Sequence, residues 1–168
     1  MDMSTSEIAM KTLSIPNAVI LEEARKLIND GMEVTIKTKG VSMLPFIRGD
    51  RDSAVLIKCL DPQEWDIVLA KVSDGRYVLH RVIRREGEIL TLMGDGSIKA
   101  TEKCSVSDVI GKTIRIEKPG KSIDCTSEAE KRKAATWRKL LPLRRYILFI
   151  YRKIYGINYP GVTPGIHN

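Results

Sequence analysis

The chain is poor in the residues that build disulfide frameworks and metal clusters. It has three cysteines and two histidines in 168 residues, and no cysteines form a Cys-x-x-Cys pair. An odd number of cysteines leaves one thiol unpaired in any intramolecular scheme. This argues against a disulfide-stapled domain and a zinc cluster, and it fits a reducing compartment. We therefore expect no metal and no other cofactor.

Long apolar runs are also missing. No stretch reaches the roughly 20 apolar residues that a membrane-spanning helix needs. Residues 1–16 contain no apolar run of the kind that forms the centre of a secretory signal peptide. The sequence thus predicts no signal peptide and no conventional transmembrane helix. It indicates a protein that is cytoplasmic or peripherally associated with a membrane.

Acidic residues are absent from the C-terminal part of the chain. Residues 1–130 hold 19 Lys/Arg and all 21 Asp/Glu, whereas residues 131–168 hold 9 Lys/Arg and no acid. The positive excess therefore belongs to the C-terminal segment, which points to an anionic partner for that segment alone. A role in nucleic-acid binding is disfavoured, because the rest of the chain is net negative and shows no recognition helix.

The pattern of apolar residues predicts mainly β structure. A helix is expected from Asn17, with Gly31 as its stop signal, and a series of short alternating segments joined by Gly-containing turns follows it. Such spacing is typical of an antiparallel, barrel-like β-fold. We expect a β domain with an N-terminal helix over residues 1–125. The predicted strands cover 33–38, 53–58, 66–72, 76–83, 89–93 and 111–117.

Residues 126–168 form a basic helical appendage in this interpretation. Ser127 and Glu130 fit a capping box, Pro142 separates two helices, and Gly156 ends the second. Over residues 137–155 an apolar face that includes Trp137 stands beside an arginine-rich face, which is typical of a helix lying in an anionic membrane interface. The alternative is that the apolar face packs on the β domain or on a second subunit.

Two residues suggest nucleophilic chemistry. Ser42 lies in the turn Gly40-Val41-Ser42-Met43-Leu44-Pro45, and His80 lies in a predicted strand. A serine hydroxyl attacks a carbonyl only when a neighbouring base takes its proton, and histidine suits that task. The other histidine, His167, is next to the chain end. His80 is therefore the candidate base.

Five short motifs in order resemble those of the type I signal peptidases. They are Ser42-Met43-x-Pro45, Gly49-Asp50, Asp66-Ile67-Val68, His80-Arg81-Val82 and Gly94-Asp95, and the likeness covers roughly residues 34–117. The chain is most similar to the branch of archaea, spore-forming bacteria and the endoplasmic reticulum, in which histidine replaces the general-base lysine. Self-cleaving repressors of the LexA kind share the β-fold that this resemblance implies.

The resemblance implies three catalytic residues: Ser42 as nucleophile, His80 as general base and Asp95 as the acid that orients the histidine. The acidic motif departs from the family pattern after Asp95, so the second carboxylate is either Glu102 or Asp108, or is missing. Asp95 could also serve only as a turn residue.

The oxyanion donor also departs from the family pattern. The family often has a serine two residues before the nucleophile, where this chain has Gly40. Backbone N–H groups near Ser42 would then supply the donors for the oxyanion.

The resulting prediction is a serine endopeptidase resembling signal peptidases. Its substrate would be a leader-bearing or secretory-type precursor, bound as an extended peptide along a strand edge. The alternative is a catalytically weak or inactive module of the same fold that binds a peptide or a protein partner. Gly40 and the shortened acidic motif are the features that favour it.

Overall fold

A computed structural model describes residues 17–157. The expectations about residues 1–16 and His167 lie outside this part of the chain. The structure is mainly antiparallel β, with one helix before the strands and two after them, which confirms the predicted fold class. The strands are β1 (Val34–Lys37), β2 (Ser53–Ile57), β3 (Ile67–Lys71), β4 (Tyr77–Glu86), β5 (Ile89–Met93), β6 (Glu102–Ser105), β7 (Val109–Lys118) and β8 (Lys121–Asp124). The helices are α1 (Asn17–Asn29), α2 (Glu128–Lys139) and α3 (Arg144–Tyr155).

The strands form one curled sheet that resembles half of a barrel. Its order is β1-β2-β7-β3-β4-β5-β6, and β8 pairs with the end of β7. The long strand β7 joins the two halves, because it pairs with β2 over one stretch and with β3 over another. The consecutive strands β4 and β5 form an antiparallel hairpin, with Arg81 opposite Met93 and Glu86 opposite Ile89.

Buried aliphatic side chains form separate clusters, one of which holds the helix that precedes the sheet. One cluster lies around the strands β3 to β6 and includes the fully buried Val68, Val82 and Leu92. Ile28 of α1 packs with Leu56, Leu69 and Ile110. Val68 and Leu69 are consecutive residues of β3 and point to opposite faces, so the two clusters lie on opposite sides of this strand.

The two C-terminal helices pack against the β domain. Trp137 of α2 and Leu148 of α3 are buried together with Leu44, which follows Ser42 by two residues. Ser127 caps α2 by accepting a hydrogen bond from the Glu130 amide, and Gly156 ends α3 in the left-handed conformation, as the sequence predicts. The reciprocal half of the predicted capping box is not formed, because the Ser127 amide donates to the Asp124 carbonyl. Trp137 therefore belongs to the core and is not available to a membrane.

None of the helices within residues 17–157 has the length and apolar character needed to cross a bilayer.

Candidate active site

Ser42 is exposed on a turn whose other residues are largely buried. The turn follows β1, and its neighbours Met43, Leu44 and Ile47 are buried. The Gly49 amide donates to the Gly40 carbonyl at 3.2 Å. A Cβ on Gly49 would lie 2.2 Å from that same carbonyl oxygen, so only glycine permits this approach. Gly40 has a φ of +75°, which suits glycine as well.

A fully buried carboxylate, Asp52, fixes the two ends of the Ser42 turn. Its backbone carbonyl accepts from the Thr38 hydroxyl at 2.7 Å, and its side chain accepts from the Arg48 amide at 2.8 Å. Burial favours a higher pKa for Asp52, but hydrogen bonds from Arg51 and the Arg48 amide outweigh it and hold the pKa below the usual value. The carboxylate therefore stays charged and keeps the base of the turn rigid.

His80 lies on β4 with only 8% of its surface exposed. Its Nδ1 is 3.0 Å from Glu102 Oε2, at the start of β6. An ionised carboxylate can only accept a hydrogen bond, so Nδ1 carries the proton of the neutral ring and Nε2 is left as an acceptor. This is the tautomer that a general base acting through Nε2 requires.

The Nε2 atom of His80 faces the Ser42 turn across Gly94. A Cβ on Gly94 would lie 3.1 Å from His80 Nε2 and 2.4 Å from the Ser42 carbonyl oxygen. The Ser42 carbonyl and the His80 ring therefore both border the space beside Gly94. Within the described residues the Ser42 hydroxyl makes no hydrogen bond, either to His80 or to any other group.

The loop of residues 94–97 packs directly against the Ser42 turn. The Gly96 amide donates to the Ser42 carbonyl at 2.7 Å. A Cβ on Gly96 would come within 2.5 Å of the Val41 carbonyl oxygen. Two glycines thus let this loop lie directly against the turn that carries the serine.

Asp95 is not the carboxylate at His80, which differs from the expectation that the resemblance gave. Its two oxygens accept from Arg81 Nε at 2.9 Å and Arg81 Nη2 at 2.7 Å. Successive strand residues point to opposite faces, so His80 and Arg81 recruit different acids. Asp108 is also elsewhere, since it caps a short 3-10 turn by accepting from the Ser105 amide. Of the three carboxylates considered, Glu102 is the one that contacts His80.

Backbone amides near Ser42 can serve as oxyanion donors. The Ser42 and Met43 amides donate no hydrogen bond to any acceptor within residues 17–157, and they lie in the turn that carries the hydroxyl. Gly40 offers no hydroxyl of its own. These two main-chain donors are therefore available in the turn that carries the hydroxyl.

A groove of about 800 Å³ leads to this cluster. On one side it is bordered by β1, the edge strand of the sheet, and on the other by residues 77–80 of β4. Residues 77–80 pair with β3 only, because β5 begins its pairing at Arg81. Both borders therefore offer unpaired main-chain groups to an extended peptide. Its side-chain lining includes Leu21, Ile36, Met43, Tyr77 and Leu79.

Two residues of the C-terminal helices hold the 94–97 loop, and no sequence pattern indicates this role. Trp137 Nε1 donates to the Asp95 carbonyl at 2.8 Å, and Arg144 Nη1 donates to the Ser97 carbonyl at 2.8 Å. Arg144 also donates to the Trp137 carbonyl at 3.1 Å. The helices thus support the loop that contacts both Ser42 and, through Asp95, the neighbour of His80.

Residues 17–157 contain no group of three or more His, Cys, Asp or Glu side chains arranged to hold a metal ion.

Comparison with known proteins adds no identity. No model of a protein family matches the chain, and a search of curated proteins finds no significant relative.

Proposed function

We propose that the protein is a serine endopeptidase, similar to signal peptidases of the histidine type, with Ser42 as nucleophile and His80 as general base. The observation that carries the proposal is the placement of His80, whose Nδ1 is bound to Glu102 while its Nε2 faces the Ser42 turn. Glu102 would orient the ring and stabilise its charged form. This assigns to Glu102 the role that the resemblance gave to Asp95.

The proposed reaction proceeds through an acyl-enzyme. Ser42 Oγ attacks the peptide carbonyl carbon while His80 Nε2 takes the hydroxyl proton, and the amides of Ser42 and Met43 stabilise the oxyanion. The tetrahedral intermediate collapses, the C–N bond breaks, and the leaving amine receives the proton from His80. A water molecule, deprotonated by His80, then attacks the ester, and Ser42 regains its proton as the acid product leaves.

The groove supports an extended peptide as substrate. A peptide between β1 and residues 77–80 could form main-chain hydrogen bonds with both borders, while its alternate side chains enter the apolar lining. By resemblance, small residues would precede the scissile bond. We propose a leader-bearing or secretory-type precursor, processed in the cytoplasm or at a membrane surface.

Active-site labelling tests this proposal directly. A fluorophosphonate probe should label the intact chain and leave Ser42→Ala and His80→Ala unlabelled, because a serine reacts only when it is activated. Cleavage of a model precursor should be lost in both variants, and the double variant should be no worse than either one. Full labelling of Ser42→Ala would falsify the assignment of the nucleophile.

A second candidate is a peptide-binding module without turnover. It is favoured by Gly40, which offers no hydroxyl to the oxyanion, and by a Ser42 hydroxyl that makes no hydrogen bond within the described chain. Peptide binding measured by calorimetry, without probe labelling and without cleavage, would support this candidate. Labelling that depends on His80 would exclude it.

A further inference from the structure

Helix α3 carries an unpartnered apolar face on the side opposite Leu148. Leu148 and Arg144 are buried against the β domain, whereas the opposite side of the helix is open to solvent. Five large side chains lie there with about half or more of their surface exposed, up to 71% for Ile154. A helical turn of 3.6 residues brings them into one continuous stripe. They are Leu143, Tyr146, Phe149, Ile150 and Ile154.

Basic side chains accompany this stripe, and no acid does. The Arg145 guanidinium lies 4.7 Å from the centre of the Tyr146 ring, and Lys153 Nζ lies 5.8 Å from the centre of the Phe149 ring. Arg145 and Lys153 form no ion pair within residues 17–157. The sequence from residue 131 to residue 168 contains 9 Lys/Arg and no Asp/Glu. The exposed face therefore combines apolar area with uncompensated positive charge.

We propose that this face of α3 docks on an anionic lipid bilayer, lying in the plane of the interface. A helix of 12 residues is too short to span a bilayer. Its apolar stripe can enter the boundary between headgroups and acyl chains, while Arg145 and Lys153 extend to lipid phosphates. Positive charge without acidic neighbours selects an anionic surface over a neutral one. The side that carries Leu148 remains on the protein.

Docking would bring the Ser42 turn close to the bilayer. Leu148 and Ile147 of α3 pack with Val41 and Leu44, which flank Ser42 in the sequence. The turn and the exposed stripe are thus separated by about one helix diameter, roughly 10 Å. If the proposed peptidase function holds, its substrate class is a precursor whose leader emerges from the lipid surface. The docking itself does not depend on catalysis.

Vesicle flotation of the full chain tests the docking. Every protein in the comparison carries Ser42→Ala, so flotation is measured independently of the proposed peptidase activity. Vesicles of phosphatidylcholine with about one third phosphatidylglycerol should recover the protein at low salt, and vesicles of phosphatidylcholine alone should not, because the headgroup charge supplies the attraction. High salt should release it. Phe149→Ser and Ile154→Ser should each weaken partitioning about tenfold, and Arg145→Gln and Lys153→Gln about fivefold each.

The chain supplies a matched control. Leu60→Ser removes an exposed apolar side chain from the β domain, and it should leave flotation unchanged. Circular dichroism should show all variants folded, since each side chain is exposed. Absence of flotation with anionic vesicles, equal flotation with neutral ones, or binding that ignores the α3 variants would overturn the proposal. So would a dimer in solution that Phe149→Ser and Ile154→Ser convert to monomer, because a second copy would then cover the face.

Discussion

Two neighbouring residues of one strand organise the candidate site. His80 and Arg81 point to opposite faces of β4, so each takes its own carboxylate, Glu102 for His80 and Asp95 for Arg81. The Arg81–Asp95 pair is nearly buried, with both side chains at most 10% exposed. Asp95 therefore shapes the loop beside Ser42, and Glu102 acts on the imidazole.

This division of roles predicts different effects of two amide substitutions. Glu102→Gln should leave the melting temperature nearly unchanged and slow probe labelling by about 10²–10⁴-fold, because the amide no longer stabilises the charged ring. Asp95→Asn should destabilise the fold by about 2–3 kcal/mol, because a buried guanidinium loses its counter-charge. Thermal melts and labelling rates measured together separate the two effects.

Asp108→Asn is the matched control for these carboxylates. Its side chain caps a 3-10 turn away from His80, so labelling should stay within about twofold of the unmodified chain, whereas lost capping costs about 1 kcal/mol. Strong inactivation by Asp108→Asn, or none by Glu102→Gln, would contradict the assignment of Glu102.

Gly94 lies between the Ser42 carbonyl and His80 Nε2, the proposed base. Gly94→Ala should slow labelling by at least about 10²-fold, because the new methyl group would lie 2.4 Å from the Ser42 carbonyl and 3.1 Å from His80 Nε2. Gly120→Ala is the control. A Cβ there meets nothing within 4 Å, and its cost is the strain of a φ of +70°, about 1 kcal/mol in stability with no loss of labelling. Equal labelling of both variants would show that Gly94 is not a spacer.

At the scale of the elements, apolar alternation predicted the strands that have a buried face. Strands β1 to β5, β7 and the three helices all begin within two residues of their predicted starts or of their capping signals. Strands β6 and β8 were not predicted, because Glu102-Lys103-Cys104-Ser105 and Lys121-Ser122-Ile123-Asp124 are mostly polar and pair along one edge only. Their formation depends on a partner strand rather than on their own pattern.

The missed strand β6 explains the uncertainty over the orienting acid. Without it, nothing in the sequence brings Glu102 to His80, which precedes it by 22 residues. Asp95 was expected to orient His80 because Gly94-Asp95 resembles the acidic motif of the signal peptidases. The role of Trp137 was equally hidden, since an amphipathic pattern indicates a buried face but not what covers it.

Adjacent arginines at the start of α3 offer a test of the helical support. Arg144 is 3% exposed and donates to two carbonyls, whereas Arg145 is exposed and lies against Tyr146. Arg144→Gln should lower stability by about 1.5–3 kcal/mol and slow labelling, because the Ser97 and Trp137 carbonyls lose a charged donor. Arg145→Gln should change stability by less than about 0.5 kcal/mol. Urea denaturation compares them, and equal losses would contradict the support of the 94–97 loop by α3.

At the scale of the whole molecule, the two basic C-terminal helices pack against the curled β-sheet beside Ser42, where they contact the 94–97 loop. Composition alone suggested two separable parts, residues 1–125 and 126–168, because charge and periodicity both change there. The structure nevertheless places Trp137 and Leu148 against Leu44, close to the serine turn. The C-terminal helices therefore border the candidate site, and α3 also carries the exposed apolar stripe with Arg145 and Lys153.

Removal of the helices should therefore inactivate a chain that retains all its proposed catalytic residues. A chain ending at residue 125 would leave Leu44 uncovered and would deprive the Asp95 and Ser97 carbonyls of their donors. Loss of one buried tryptophan costs about 3–5 kcal/mol, a large part of a typical domain stability of about 5–15 kcal/mol. Melting should shift down by at least about 10 °C. Probe labelling should disappear, and a dye that binds exposed apolar surface should fluoresce. A chain ending at Ile157, which keeps both helices, is the control and should label normally. Unchanged melting and labelling of the shorter chain would mean that residues 126–168 are an independent appendage and that Ser42, His80 and Glu102 need only the sheet.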